Sequence, residues 1–83
     1  SIELEHLYHY AKEEINYAQE SQGSIYYEGD QQSAYDALAA CENKYDIILQ
    51  QLQNGYSMMA VMQFKSKWEA ELFQLRVQIN SLP

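Results

Sequence analysis

Helix-breaking residues are scarce in this chain of 83 residues, and their scarcity constrains its fold more than any other feature. The chain has three glycines, Gly23, Gly29 and Gly55, and its one proline, Pro83, is the last residue. Glycine and proline interrupt helices more strongly than any other residues. The glycines therefore leave three long segments of similar length, which predicts three helices.

The predicted fold class is all-α, an antiparallel up-down-up three-helix bundle formed by a single domain over residues 1–83. We predict helices at residues 2–22 or 2–27, 30–54 and 57–81. The short links favour antiparallel neighbours. No segment shows the alternation of apolar and polar residues that is typical of strands.

The predicted helix ends depend on capping residues. Asp30 suits the N-cap of the second helix, and Ser57 suits that of the third. Gly55 suits the left-handed position that follows a helix. The stretch from Gly23 to Gly29 is compatible with a continued first helix or with an ordered loop.

Apolar residues recur three and four positions apart in all three segments, as they do on one face of a helix. In the first segment they are Leu4, Leu7, Ala11, Ile15, Ala18 and, past Gly23, Ile25; in the second they are Ala34, Leu38, Cys41, Tyr45, Ile48 and Leu52. We expect these two rows to form the core.

The third segment carries two apolar rows on well-separated faces, whereas a surface helix normally has one. The first row is Met58, Val61, Trp68, Leu72, Leu75, Ile79 and Leu82, with Phe64 at its edge. The second, which we call the outer row, is Met59, Met62, Ser66, Ala70, Phe73 and Val77. Either the third helix packs against two neighbours, or the outer row docks onto another chain.

Charge limits the classes of partner. The net charge is −7, and residues 1–30 hold seven acids and one lysine. Binding to duplex nucleic acid needs a basic stripe, which five scattered basic residues do not form. The same scarcity of basic residues argues against anionic membranes, and the longest apolar run is far shorter than the ~20 residues of a membrane span.

The remaining composition bears on context. The single cysteine, Cys41, excludes an internal disulfide and favours a reducing, intracellular compartment. Because the chain starts without methionine and stops abruptly, we interpret it as a fragment of a larger protein.

No catalytic signature is present, so we expect no enzymatic activity and no cofactor. His6, His9 and Glu13 share one helix face, and two imidazoles with a carboxylate could serve zinc. A structural zinc site needs a fourth ligand, and none is identified, so the preferred interpretation is an exposed polar face. Cys41 lies within the apolar row of the second segment and is expected to be a core residue.

Eight tyrosines are the other unusual feature. Tyr10 and Tyr17 are seven residues apart and flank the apolar row of the first helix. Tyrosine is common both at the margins of a core and at interfaces. We therefore interpret these two either as core-margin residues or as anchors for a partner.

The segment from Gly29-Asp30 through Ala34-Tyr35 and Leu38 to Cys41 resembles the start of the second helix in microtubule-interacting-and-trafficking domains. It is equally similar to the helix junction of a single tetratricopeptide repeat. In both families a turn of this kind precedes an alanine that allows close helix contact. The first resemblance implies a trafficking adaptor whose interhelical grooves bind a helical peptide.

The function that the sequence favours is a non-catalytic module for protein–protein interaction. It would bind an amphipathic helix, or a second copy of itself as in a coiled coil, through the outer row. The predicted contact residues are Met59, Met62, Phe73 and Val77, with Tyr10 and Tyr17 as further candidates. The alternatives are the adaptor implied by the resemblance and a metal-binding protein centred on His6, His9 and Glu13.

Overall fold

The computed structural model describes residues 1–83 as three α-helices and no strands. The helices are α1 (Ile2–Glu20), α2 (Tyr27–Gly55) and α3 (Met58–Asn80). They form an elongated bundle with extents of 49 × 17 × 15 Å. The predicted all-α, up-down-up architecture is confirmed. None of the three helices combines the length and apolarity needed to cross a bilayer.

The core is entirely apolar and follows the predicted rows. Every helix contributes buried residues at helical spacing: Leu4, Ala11, Ile15 and Ala18 from α1; Ala34, Ala37, Leu38, Cys41 and Tyr45 from α2; Trp68, Leu72, Leu75 and Ile79 from α3. Each fully buried leucine or isoleucine stabilises the fold by roughly 1.5–3 kcal/mol relative to its exposed state. The alanines on α1 and α2 let these two helices approach closely, and α1 makes far more of its contacts with α2 than with α3.

The first helix ends at Glu20, close to the shorter predicted end at about residue 22, whereas the longer prediction, to residue 27, is wrong. Gly23 has a φ of +83°, in the left-handed region. A glycine adopts this conformation readily, whereas other residues are strained there. The chain therefore turns at Gly23, and Ile25, predicted to extend the apolar row of α1, is 90% exposed.

The second helix begins at Tyr27, earlier than the predicted Asp30. The Asp30 amide donates to the Tyr26 carbonyl at 3.0 Å, so Asp30 lies inside the helix and is not its N-cap. Glu28 and Asp30 in the first turn interact favourably with the positive end of the helix dipole. Because Gly29 is helical as well, the turn that the family resemblance required is absent.

The link between α2 and α3 is short, as predicted, but its conformation differs from the expectation. Gly55 is the last residue of α2 and is not left-handed, and the chain reverses through the extended Tyr56. The prediction for Ser57 is confirmed, since its Oγ accepts a hydrogen bond from the Ala60 amide at 3.2 Å.

The α2–α3 hairpin extends beyond the first helix. Near the start of α1, Glu3 contacts Lys44 of α2 at 3.0 Å, and Glu5 contacts Lys67 of α3 at 3.5 Å. Ile48, Leu49 and Phe64 still pack against the edge of the core, but the hairpin residues 46–66 as a whole lie past these contacts. We call them the hairpin tip, and none of them is fully buried.

Candidate functional site

The outer row of α3 is exposed along its whole length. The exposed fractions are 69% for Met59, 62% for Met62, 65% for Phe73 and 45% for Val77. Ser66 and Ala70, between them, are exposed too. At ~100° per residue, the outer row points roughly 150° away from the buried face of α3. The third helix does pack against two neighbours, α1 and α2, but neither covers this row, so the first interpretation does not account for it.

Polar contacts on both sides of α3 hold the row outward. Towards α2, the Arg76 guanidinium contacts the Glu42 carboxylate at 2.6 Å, and the Tyr45 hydroxyl donates to Glu69 at 2.9 Å. These contacts, together with those towards α1, fix the rotation of α3 about its own axis.

Towards α1, the Tyr8 hydroxyl donates to the Glu71 carboxylate at 2.7 Å. The Tyr8 ring meets the Trp68 ring edge to face, with centroids 5.8 Å apart. No local sequence pattern predicts this pairing, because Tyr8 and Glu71 lie 63 residues apart. Only the register of α1 against α3 brings them together.

The phenols of Tyr8 and Tyr45 have raised pKa values. Burial, and next the hydrogen bond to Glu71, raise the pKa of Tyr8 to about 12. Burial, and next the hydrogen bond to Glu69, raise the pKa of Tyr45 as well. Each phenol is therefore neutral at pH 7 and serves as a hydrogen-bond donor that ties two helices together.

The methionines of the hairpin tip form an open apolar depression. Its lining consists of Met58, Met59, Met62, Gln63 and Ser66. Met58 belongs to the first apolar row of α3, which is buried further along the helix, but it is 78% exposed, since α1 does not reach this end of the hairpin. The apolar surface of α3 is therefore broadest at the tip.

Tyr10 and Tyr17 form a separate surface on α1, with exposed fractions of 53% and 54%. Tyr10 lines a shallow groove between α1 and α2, together with Ala37 and Ala40. The neighbouring Glu14 carboxylate raises the pKa of Tyr10. No depression is lined both by these tyrosines and by the outer row, so the structure does not unite the two sets of predicted contact residues.

The alternative metal centre does not assemble. No group of three or more histidine, cysteine, aspartate or glutamate side chains is placed to hold a metal ion, and His6, His9 and Glu13 are no exception. The His9 ring instead meets the Tyr8 ring at a centroid distance of 5.3 Å. The prediction for Cys41 is confirmed: it is buried, and burial, followed by the charge of Glu42, raises the pKa of its thiol to about 11.

Charge is distributed unevenly along the bundle. The hairpin tip contains one acid, Asp46, and one base, Lys65. The acids and bases of residues 67–83 also balance, so the net charge of −7 resides in residues 1–45. Most of that charge lies at the opposite end from the tip, where α1 ends and α2 begins. The exposed methionines therefore lie on an electrically neutral part of an acidic molecule.

Comparison with known proteins gives one result. The family described as "Embryogenesis-like protein helical domain" matches this chain over residues 2–83, which include all three helices. No curated protein and no solved structure matches it. The matched family is neither of the two that the segment around Gly29 resembles.

Proposed function

The chain belongs to the family of embryogenesis-like protein helical domains, and from this premise we propose that it is a non-catalytic interaction module that binds an amphipathic helix along the outer row of α3. The proposal assigns a role to the exposed apolar row that this helical architecture leaves uncovered on α3. The contact residues are Met59, Met62, Phe73 and Val77, on either side of Ser66 and Ala70.

The observation that carries the proposal is the continuous exposure of this row. Isolated apolar residues are normal on protein surfaces, but contiguous apolar surface marks sites of interaction. Removing apolar surface from water contributes roughly 25 cal/mol per Å². A helix laid along the row would bury all four large side chains at once. The residues of the outer row are three and four positions apart, which is the spacing by which amphipathic helices bind grooves and one another.

The side chains also suit this role. Methionine is unbranched and polarisable, so it adapts to differently shaped partners. The small Ser66 and Ala70 at the centre of the row allow a second helix to approach closely. Large residues at both ends would then enclose that helix on either side of its point of closest approach.

The non-catalytic part of the proposal is supported by the titratable groups. The two interhelical tyrosines and Cys41 have pKa values raised mainly by burial, which favours their neutral, unreactive forms at pH 7. A catalytic base or nucleophile would need the opposite shift, or a pKa near the working pH.

A site-specific photo-crosslinking experiment tests the proposal. A photoreactive phenylalanine analogue is placed at Phe73 in the chain produced in its own cells, and at Gln50, an exposed position on α2, as the control. We expect a product from position 73 in which the linked segment, located by mass spectrometry, is an apolar helix of this or another protein. We expect none from position 50.

The same analogue at Tyr10 tests the groove between α1 and α2. A product from position 10 with none from position 73 would contradict the proposal and place the docking surface on α1. Equal yields from positions 73 and 50 would contradict it as well, because contact at the row would then be no more frequent than random collision.

A further inference from the structure

We propose that the helix bound by the outer row is α3 of a second copy of this chain, packed antiparallel about a two-fold axis between Ser66 and Ala70; this inference rests on the proposed function and names its partner. Because α1 and α2 lie behind α3, two such helices can meet without interference from the rest of either bundle. Their meeting would place the two α3 helices at the centre of a six-helix dimer.

The first argument is that the row complements its own reversed copy. When the row is reversed and centred on position 68, Met59 lies opposite Val77 and Ser66 opposite Ala70, and Met62 comes within one residue of Phe73. The small pair lies at the centre, where the helix axes come closest. Towards each end a methionine meets a phenylalanine ring, a contact that thioethers favour.

The second argument is that the row runs nearly straight along α3. Its successive steps are 3, 4, 4, 3 and 4 residues. The first three steps span 11 residues in three turns, and an 11-residue repeat of about 3.67 residues per turn stays close to the natural pitch of a helix. Two such helices can remain in contact along the whole row, which is about 27 Å long at ~1.5 Å per residue.

The third argument is the charge that borders the row. Lys65 and Glu69 lie on the side of α3 that faces α2, and their own contact is only a long one, at 3.9 Å between Nζ and Oε2. In an antiparallel pair, Lys65 of each copy lies on the same side of the interface as Glu69 of the other copy. The two residues can then form an interhelical ion pair, as charged residues beside the seam of a coiled coil do. Parallel pairing would instead turn Lys65 towards Lys67 of the second copy.

The fourth argument is the charge of the whole bundle. Residues 1–45 hold the entire net charge of −7, and the hairpin tip is neutral. Antiparallel pairing sets the neutral tip of one copy beside the acidic end of the other. Parallel pairing would set two acidic ends side by side, and the resulting repulsion would oppose association.

Disulfide trapping tests both the partner and the direction. Met59→Cys and Val77→Cys are prepared as separate, differently tagged chains and then oxidised alone and as a mixture. Antiparallel pairing places position 59 opposite position 77, within the ~7 Å between Cα atoms that a disulfide requires, and places the two copies of position 59 about 27 Å apart. We expect the mixed product to form at least ten times faster than either homodimer.

The native cysteine does not interfere, because Cys41 is fully buried and the wild-type chain serves as the blank. Gln50→Cys mixed with Val77→Cys measures the rate of random collision, since position 50 is exposed on α2 away from the row. Mixed product at that background rate would overturn the inference.

The remaining outcomes separate this inference from the proposed function. Rapid formation of the Met59→Cys homodimer would indicate parallel pairing; it would overturn the inference and leave docking at the row in place. A chain that stays monomeric and unlinked, but photo-crosslinks from position 73 to a helix of another protein, would overturn only self-association. Absence of any product from position 73 would overturn both.

Discussion

Phe73 and Leu75 lie two residues apart on α3 and therefore on different faces of the helix, so substituting each in turn tests which face is buried. Leu75 is 1% exposed and Phe73 is 65% exposed. We expect Leu75→Ala to lower the free energy of unfolding by ~2–5 kcal/mol, because it leaves a cavity in the core. Phe73→Ala should cost less than about 0.5 kcal/mol in the dilute monomer.

Urea unfolding at two protein concentrations measures both effects. If the outer row pairs two copies, the loss caused by Phe73→Ala should grow with concentration, because association stabilises the folded state by mass action. Similar losses for the two variants at low concentration would show that Phe73 is buried within one chain, contrary to the structure.

The interhelical tyrosines predict a loss of stability at high pH. The pKa of Tyr8 is raised to about 12 in the folded chain, whereas that of an unperturbed tyrosine is about 10. The unfolded chain therefore ionises first. The contribution of Tyr8 is fully present below pH 10 and is lost as the pH rises from about 10 to about 12.

Unfolding by urea at a series of pH values checks this prediction. Tyr8→Phe should lower stability at pH 7, because it removes the hydrogen bond to Glu71, and should make the decline above pH 10 shallower. Tyr45→Phe should do the same through Glu69. Tyr17→Phe is the control, as Tyr17 is exposed on α1, and an equal effect from it would contradict the assignment.

Residue-level prediction from the sequence succeeded where the local pattern was sufficient. Burial of Cys41 follows from its place in an apolar row, and the cap at Ser57 follows from the turn before it. The bond between Tyr8 and Glu71 could not be predicted in this way. It depends on how far α1 slides along α3, which no local spacing encodes.

At the scale of elements, the glycines show how local conformation determines the effect of a substitution. Gly23→Ala places a side chain at a φ of +83°, which should destabilise the protein by about 1–2 kcal/mol. Gly29 lies in α2 with open space where a Cβ would be. Gly29→Ala should therefore stabilise the protein by about 0.4–1 kcal/mol.

Thermal unfolding of the two variants side by side checks these opposite signs. A stabilising Gly23→Ala would contradict the left-handed turn between α1 and α2. A destabilising Gly29→Ala would contradict the start of α2 at Tyr27.

The number of helices was predicted correctly, whereas their first and last residues were predicted less well. Three glycines correctly indicated three helices, but each glycine acts differently. Gly23 turns the chain, whereas Gly29 and Gly55 are helical. A helix tolerates a glycine near either end at a cost of ~1 kcal/mol. Composition alone therefore does not distinguish a glycine in a loop between helices from one in the first or last turn of a helix.

The hairpin tip should be the least protected helical part of the molecule. Residues 46–66 have no fully buried member, whereas residues 34–45 of the same α2 helix include five. Local opening is easiest where few apolar contacts must break. In dilute solution we expect backbone amides of the tip to exchange with deuterium at least tenfold faster than those of residues 34–45, measured by mass spectrometry of peptides. Uniform protection along α2 would contradict this account.

At the scale of the whole molecule, the sequence indicated two apolar faces on α3 but not which of them would be covered. That outcome depends on the relative lengths and register of the helices. With 19 residues against 29 in α2, α1 is too short to reach the tip, and one neighbour on each side of α3 suffices to cover its inner face. The outer row is left exposed as a consequence of this geometry.

The same geometry separates charge from apolar surface. In the proposed dimer, the acidic ends of the two bundles repel each other, whereas the neutral tip and the outer row of α3 form the interface. This separation is the basis for expecting a dimer of defined direction, since only the antiparallel arrangement keeps the acidic ends apart.

Light scattering across a range of micromolar concentrations tests the inference that the outer row joins two copies of the chain. We expect the wild-type mass to approach twice the 9.7 kDa of one chain. Met62→Asp/Phe73→Asp should remain at 9.7 kDa with unchanged helicity, while the matched control on α2, Gln50→Asp/Gln53→Asp, should behave as the wild type. A wild-type chain that stays at the mass of one copy, or a Met62→Asp/Phe73→Asp variant that keeps the larger mass, would contradict the claim.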